Sequence, residues 1–288
     1  RPTSTPWPRH SSPLKSSCGG PSGDGSCRPV SPTGKMKGMD DAAFLVALRR
    51  ESDALSAAAR GHLGAAIPAV EDWAVGEVVT HVGQGARWAV HLVRDGMDAT
   101  EALLALPPDP DPDEIGEDGL LAWFDGCTDE LCTALEAAGP DATCWTFTGA
   151  GAARNWWRRR AQETAIHRWD VAGAAGAATP IERDLALDGI DEVFELFVPR
   201  LGDRLAGDGR TLHLHATDDG VPEGAGEWTI GFTPDGPICE RGHAKGDAAV
   251  RGSASDLLLL LWNRVPPSRL EVFGDAGVLD FWAERARI

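Results

Sequence analysis

Residues 154–173 read RNWWRRRAQETAIHRWDVAG, and this stretch predicts one continuous helix that carries a pair of potential metal ligands. Glu163 and His167 are four residues apart, so on a helix their side chains lie one turn apart and point the same way. Asp170 follows three residues later on that face, where it can accept a hydrogen bond from a ligating histidine and orient its ring. A metal site needs at least one more ligand from elsewhere in the chain.

His81 is the best candidate for that further ligand. A helical pattern runs from about Trp73 to Arg94, and His81 lies on its apolar face. Gly85, one turn later, removes bulk beside the histidine. A lone histidine in such a position is more often a buried residue hydrogen-bonded to a neighbour, so the structural interpretation of His81 stays open.

The surroundings of Glu163 and His167 favour a metal site over an ordinary surface pair. An ionised carboxylate among apolar side chains requires a cation or a metal. With His81, the set contains two histidines and one carboxylate, which leaves coordination positions for water or substrate, as catalytic zinc and non-haem iron sites require. The apolar neighbours expected around the pair are Trp156, Ile166, Trp169 and Val171.

Composition excludes several classes of partner. The 288 residues suffice for two domains. The acidic excess of 17 charges is spread through the chain and argues against nucleic acid and anionic membranes, since both bind clustered Lys and Arg. No run approaches the roughly 18 apolar residues of a membrane span, so we expect a soluble, cytoplasmic protein. The six cysteines show no CxxC pair, which predicts reduced thiols rather than a disulfide framework or a zinc knuckle.

The chain divides into three parts. Residues 1–38 are rich in Pro, Ser and Gly, so we expect a disordered leader, with translation beginning near Met36 or Met39. Residues 39–178 predict an all-α four-helix bundle, with a Pro- and Asp-rich loop over 107–119 and a plain connection over 139–152. Residues 179–288 predict a smaller α+β domain with an antiparallel sheet covered by helices.

The stretch TLHLHA at 211–216 offers a competing metal site. His213 and His215 are two apart on a predicted strand, so both side chains lie on one face and can bind a common ion. Leu212 and Leu214 then share the other face, and an ordinary half-buried edge strand explains the pattern equally well. We therefore favour the structural interpretation of this pair.

Five segments of the chain together form a recognisable set: DWAVGEVVTHVG (72–83), WWRRRAQETAIHRWD (156–170), LHLHATDDG, AVRGSASDLLLLLWNR and VFGDAG. They resemble the mycothiol-dependent maleylpyruvate isomerase family of actinobacteria, which belongs to the wider DinB-like four-helix superfamily. The similarity extends over about Phe44 to Ala283, and an Ala-, Gly-, Asp- and Arg-rich composition is compatible with that source.

The resemblance implies a helical domain that holds one divalent metal, usually zinc, on His81, Glu163 and His167, and a C-terminal domain similar to sterol carrier proteins. It also implies an arginine linked to activity, which we match to Arg264. Mycothiol would serve as the thiol cofactor. Its metal-bound thiolate would isomerise a cis-unsaturated acid, with Arg264 stabilising the enolate, or would attack an electrophile as in an S-transferase.

Two other classes of function remain open. A non-catalytic binding or regulatory protein could hold an apolar ligand near the run Leu257–Trp262, although a core helix explains that run better. A non-haem iron oxygenase could use the same three ligands. The sequence does not reveal the substrate or the oligomeric state.

Overall fold

The computed structural model describes residues 39–70, 72–222 and 224–288; the predicted leader, 1–38, lies outside the described residues. The described chain begins with a helical region and continues into a region that combines helices with a five-stranded sheet. The predicted boundary near residue 178 falls in the segment that connects the two regions. Both regions contribute to one continuous buried apolar cluster, and a second, smaller cluster lies among the N-terminal helices.

In the described part of the chain, the N-terminal region contains four long helices and one short helix. They are α1 (Asp41–Ala59), α2 (Val75–Val93), α3 (Ala99–Leu104), α4 (Pro112–Ala138) and α5 (Arg154–Ala174). Helix α1 packs along α5 and α2 packs along α4, with apolar faces inward as their periodicity predicts. Asp40 caps the first helix, because its side chain accepts a hydrogen bond from the Ala43 amide at 2.7 Å.

Two features of this region differ from the sequence prediction. The predicted loop over 107–119 already contains the start of α4, because Asp111 accepts a hydrogen bond from the Asp113 amide and Pro112 suits a first helical position. Gly116, with φ 69°, then interrupts the helix in a backbone conformation that glycine adopts readily. The predicted plain connection over 139–152 contains a hairpin, β1 (Thr143–Thr146) paired with β2 (Gly149–Ala152).

The C-terminal region begins with α6 (Arg183–Glu192), which continues through a π-helical turn (Val193–Phe197) into α7 (Val198–Leu201). The strands and α-helices that follow are β3 (Thr211–Ala216), β4 (Glu227–Thr233), β5 (Gly236–Arg241), β6 (Ala248–Gly252), α8 (Ala254–Leu261), β7 (Glu271–Gly274) and α9 (Gly277–Arg285). The five-stranded sheet has the strand order β5-β4-β3-β6-β7, so the predicted edge strand, β3, lies at its centre.

The sheet is mixed, whereas the sequence predicted an antiparallel one. All neighbouring strands are antiparallel except β3 and β6, which pair in parallel. The difference arises because residues 242–247 carry the chain from β5, at one edge, to the far side of β3. The leucines of α8 are buried against the sheet, which supports the core-helix interpretation of the LLLLLW run.

Buried ion pairs tie the helices together. Arg168 of α5 donates to Glu51 of α1 at 2.7 Å, and both side chains are about 5% exposed. The same guanidinium donates to the backbone carbonyls of Thr179 and Pro180, just beyond the end of α5. Arg168 therefore anchors both α1 and the connection to the C-terminal region. No helix in the described part of the chain has the length and apolar character needed to cross a bilayer.

We expect Arg168→Met to lower the free energy of unfolding by about 3 kcal/mol, because it leaves a buried carboxylate and two carbonyls without their main donor. Arg49→Met is the matched control. Arg49 pairs with Asp129 and Glu136 at the surface, so its loss should cost less than about 1 kcal/mol. Urea denaturation followed by circular dichroism measures both, and equal effects would contradict an anchoring role for Arg168.

Candidate metal centre

The structure brings the three predicted ligands together between α2 and α5. The ligand atoms of His81, Glu163 and His167 all lie within 4.8 Å of one another. His81 Nε2 is 3.4 Å from Glu163 Oε1, and the imidazole rings of His81 and His167 are 5.3 Å apart between centroids. Each side chain is between 12% and 16% exposed, so the cluster is partly shielded but accessible. Trp73 packs against the His81 ring at 5.0 Å.

An arginine provides the counter-charge for Glu163. Arg160 Nη1 donates to Glu163 Oε2 at 2.6 Å, while Arg160 Nη2 donates to the Val82 carbonyl at 2.8 Å. Burial alone would raise the pKa of Glu163, but the charge of Arg160 and the hydrogen bond from His81 hold that pKa well below its ordinary value. Glu163 is therefore ionised. Its charge does not by itself require a metal, because Arg160 already neutralises it.

The sequence analysis missed Arg160, although a signal for it was present. Arg160 precedes Glu163 by three residues, a spacing at which oppositely charged side chains meet on a helix. Arg159 approaches the same carboxylate at 3.8 Å. Trp156, which the sequence placed beside Glu163, instead packs with other aromatic side chains and donates its indole N–H to the Trp145 carbonyl.

Asp170 and Arg264 extend the cluster into the C-terminal region. His167 Nδ1 lies 3.2 Å from Asp170 Oδ2, as the spacing on α5 predicted. Arg264 binds the Asp170 carboxylate through both Nε, at 2.9 Å, and Nη2, at 3.2 Å. A third donor of Arg264, Nη1, reaches the Trp262 carbonyl. The arginine matched through the family resemblance thus contacts the histidine ligand indirectly, through Asp170.

Burial and the contacts with Arg264 set the protonation states of His167 and Asp170. Burial lowers the pKa of His167, which favours the neutral imidazole that binds metals. Burial would raise the pKa of Asp170, but the hydrogen bond from His167 and the charge of Arg264 lower it. An ionised Asp170 accepting from Nδ1 leaves Nε2 of His167 as the nitrogen with a free lone pair.

A cavity of about 560 Å³ lies at the junction of the two regions. Asp170 and Arg264 form part of its wall, whereas the three clustered ligands do not line it. Its other walls come from α5 and α9 and from the segments around residues 67 and 266. The volume falls within the range of small-molecule sites, which is roughly 300–1,000 Å³.

Gly85 makes room for Arg160, which the sequence analysis did not consider. A Cβ atom at this position would lie 2.5 Å from Arg160 Nη1. The guanidinium has little freedom to withdraw, because it is buried and bound to both Glu163 and the Val82 carbonyl. The absence of a side chain at residue 85 is therefore a condition for the arrangement around Glu163.

We expect Gly85→Ala to lower the free energy of unfolding by about 1–3 kcal/mol, because the added methyl group displaces Arg160. Gly126→Ala on α4 is the control, since a Cβ there meets no atom within 4 Å. That substitution should stabilise the protein by about 0.5–1 kcal/mol through helix propensity alone. Chemical denaturation compares the two variants, and a stabilised Gly85→Ala variant would contradict the steric argument.

The second predicted histidine pair, His213 and His215, forms part of another cluster of possible metal ligands. His213 and His215 lie on one face of β3, and Glu227 on β4 joins them to form a separate cluster with ligand atoms within 4.8 Å. The sequence pattern did not reveal Glu227, because its proximity depends on the register between β3 and β4.

The fold and the site together define a class of protein in which a helical region carries a His-Glu-His cluster and an α+β region with a mixed sheet follows it. Residues 45–172 match the profile of the mycothiol maleylpyruvate isomerase N-terminal domain, and residues 184–281 match that of the MDMPI C-terminal domain. The chain therefore belongs to the mycothiol maleylpyruvate isomerase family, which confirms the resemblance inferred from its motifs.

Solved structures show the same fold. One, described as the crystal structure of the mycothiol-dependent maleylpyruvate isomerase, is 15% identical with a TM-score of 0.54, covering 80% of this chain and 93% of that chain. A histidine-to-alanine mutant of such an isomerase is 14% identical with a TM-score of 0.55, covering 82% and 95%. The comparison with curated proteins finds no significant match.

Proposed function

We propose that the protein is a divalent-metal-dependent enzyme that uses a low-molecular-weight thiol, mycothiol, to act on a small electrophilic or unsaturated acid. The observation that carries this proposal is the convergence of His81, Glu163 and His167 within 4.8 Å in a chain of this family. The reaction would be a cis-trans isomerisation of the maleylpyruvate type or the transfer of the thiol to an electrophile.

The three side chains fit a zinc ion. Two imidazoles and one carboxylate form a common set of catalytic zinc ligands, which leaves room for a further ligand from solvent or substrate. His81, Glu163 and His167 would hold the ion. Zinc bound there would lower the pKa of a coordinated thiol, so that the thiolate exists at neutral pH.

Neighbouring residues orient the side chains of Glu163 and His167 for binding a metal ion. Arg160 orients the Glu163 carboxylate through Oε2 and leaves Oε1 toward His81. Asp170 accepts a hydrogen bond from His167 Nδ1, and Arg264 holds Asp170 in place. Arg264 therefore serves as a positioning residue in this arrangement, in addition to the charge that it presents at the wall of the cavity.

The protein's buried cysteines support an external thiol. Burial raises the pKa of Cys127 and of Cys132 to about 11, so neither side chain forms a thiolate at neutral pH. Both pack within the apolar core of the helical region. Neither of these two cysteines then supplies the nucleophile, which agrees with the separate thiol molecule that the family name implies.

The cavity at the junction of the two regions favours a second candidate function, in which the protein binds a metal or an apolar ligand without catalysis. Apolar side chains such as Leu260, Leu279 and Trp282 line it beside Asp170 and Arg264. Retention of a ligand without turnover would support this function. An oxygenase that uses the same three ligands predicts bound iron and oxygen-dependent turnover instead.

Elemental analysis of the purified protein tests the metal proposal. We expect His167→Ala to lose one equivalent of zinc per chain and all thiol-dependent turnover, because it removes a ligand. His62→Ala is the matched control, since His62 is exposed and its Nδ1 contacts the Arg60 carbonyl.

Assays with cis-unsaturated acids and electrophiles follow, with free thiol titrated during turnover. Isomerisation leaves the thiol concentration unchanged, whereas transfer consumes one thiol per product. Equal zinc content in His167→Ala and in the unaltered protein would refute the proposed ligand set and favour the binding function.

Asp170→Asn tests the positioning role. We expect zinc affinity to fall by about 10–100-fold, because an amide neither neutralises Arg264 nor accepts as strongly from His167 Nδ1. Asp95→Asn is the control, since Asp95 makes a similar contact with His91, at 2.7 Å, away from the cluster. Competition with a chromophoric chelator measures both affinities, and identical values in the two variants would exclude a role for Asp170.

A further inference from the structure

The central strand of the C-terminal sheet presents histidines on the face opposite its core. Leu212 and Leu214 of β3 point into the apolar core, so the alternating residues His213 and His215 lie on the other face. The register of β4 places Thr229 opposite His213 and Glu227 opposite His215. The ligand atoms of the two histidines and Glu227 consequently lie within 4.8 Å of one another.

The connection between β5 and β6 brings a third histidine to this cluster. Residues 242–247 cross the outer face of the sheet over β4 and β3, and His243 Nδ1 contacts Glu227 Oε2 at 2.6 Å. The rings of His213 and His243 are 5.6 Å apart between centroids. Gly246 permits the close passage of this loop, because a Cβ atom there would lie 3.1 Å from the Cβ of His213.

The orientation of His213 points to a cation in the cluster. Its Nδ1 lies 3.3 Å from the Thr229 hydroxyl, and either atom can donate in that contact. Its Nε2 is buried and, among the described residues, has no hydrogen bond of acceptable geometry, although it lies 3.0 Å from Glu227 Oε2. A cation bound beside Nε2 and the carboxylate would give both groups a partner.

We propose that His213, His215 and Glu227 form a second divalent-metal site in the C-terminal region, with His243 as a further ligand. Imidazole nitrogens and one carboxylate oxygen suit zinc and the neighbouring transition metals. The ion would fasten the loop 242–247 to the sheet, because its ligands come from β3, from β4 and from that loop. Structural zinc sites contribute to stability in this way.

This proposal is independent of the proposed function. Its ligands lie on β3, on β4 and in the loop 242–247, whereas His81 lies on α2 and both Glu163 and His167 lie on α5. The first site can fail to bind metal while the second binds it, and the reverse also holds. Separate variants therefore test the two sites.

The experiment measures zinc per chain after equilibrium dialysis of the tag-free protein against zinc alone. We expect about two equivalents in the unaltered protein, about one in His167→Ala, about one in His215→Ala, and none in the double variant. His62→Ala should keep both equivalents. In the His167→Ala background, zinc should also raise the melting temperature, and His215→Ala should abolish that increase.

His243→Ala provides a second variant, which should leave the fold intact because the His243 side chain is 79% exposed. In the His167→Ala background it should weaken zinc binding at least about tenfold. Unchanged zinc content in His215→Ala together with unchanged affinity in His243→Ala would overturn the second site. An unchanged zinc content in His167→Ala alone would instead refute the first site and leave this proposal intact.

Discussion

The packing of the helical region depends on stabilising the negative charge of the Glu163 carboxylate. A buried charge between two helices must have cationic and hydrogen-bonding partners, and here Arg160 and His81 supply them. Arg160 fits only because Gly85 has no side chain, and its second nitrogen binds the Val82 carbonyl of α2. The packing of α2 on α5 and the geometry of the three proposed ligands therefore depend on each other.

The pair formed by Asp170 and Arg264 links that arrangement to the second half of the chain. Arg264 follows α8 and binds the Asp170 carboxylate, which contacts His167, so the C-terminal region helps to position a proposed ligand on α5. The cavity at the junction shares these two residues as part of its wall. A molecule bound there would be in a position to alter the contacts of His167, which gives the two-region architecture a role in the proposed chemistry.

The C-terminal sheet shows how one strand can serve two purposes. Strand β3 lies at the centre of the sheet, where its leucines complete the core and its histidines face the opposite side. The short connection from β5 to β6 covers those histidines and adds His243. Strand alternation thus places on one face the histidines that would hold the proposed second metal ion.

The sequence by itself determined the local features of this protein. Helical periodicity identified the long helices, the spacing of Glu163 and His167 placed both on one face, and alternation separated His213 from Leu212. Only the tertiary structure decided which distant groups meet. Arg160 reaches Val82 across 78 residues and Arg264 reaches Asp170 across 94, while the parallel pairing of β6 depends on a crossover. The physical reason is that periodicity follows from backbone geometry within a few residues, whereas such contacts depend on how whole elements pack and register against one another.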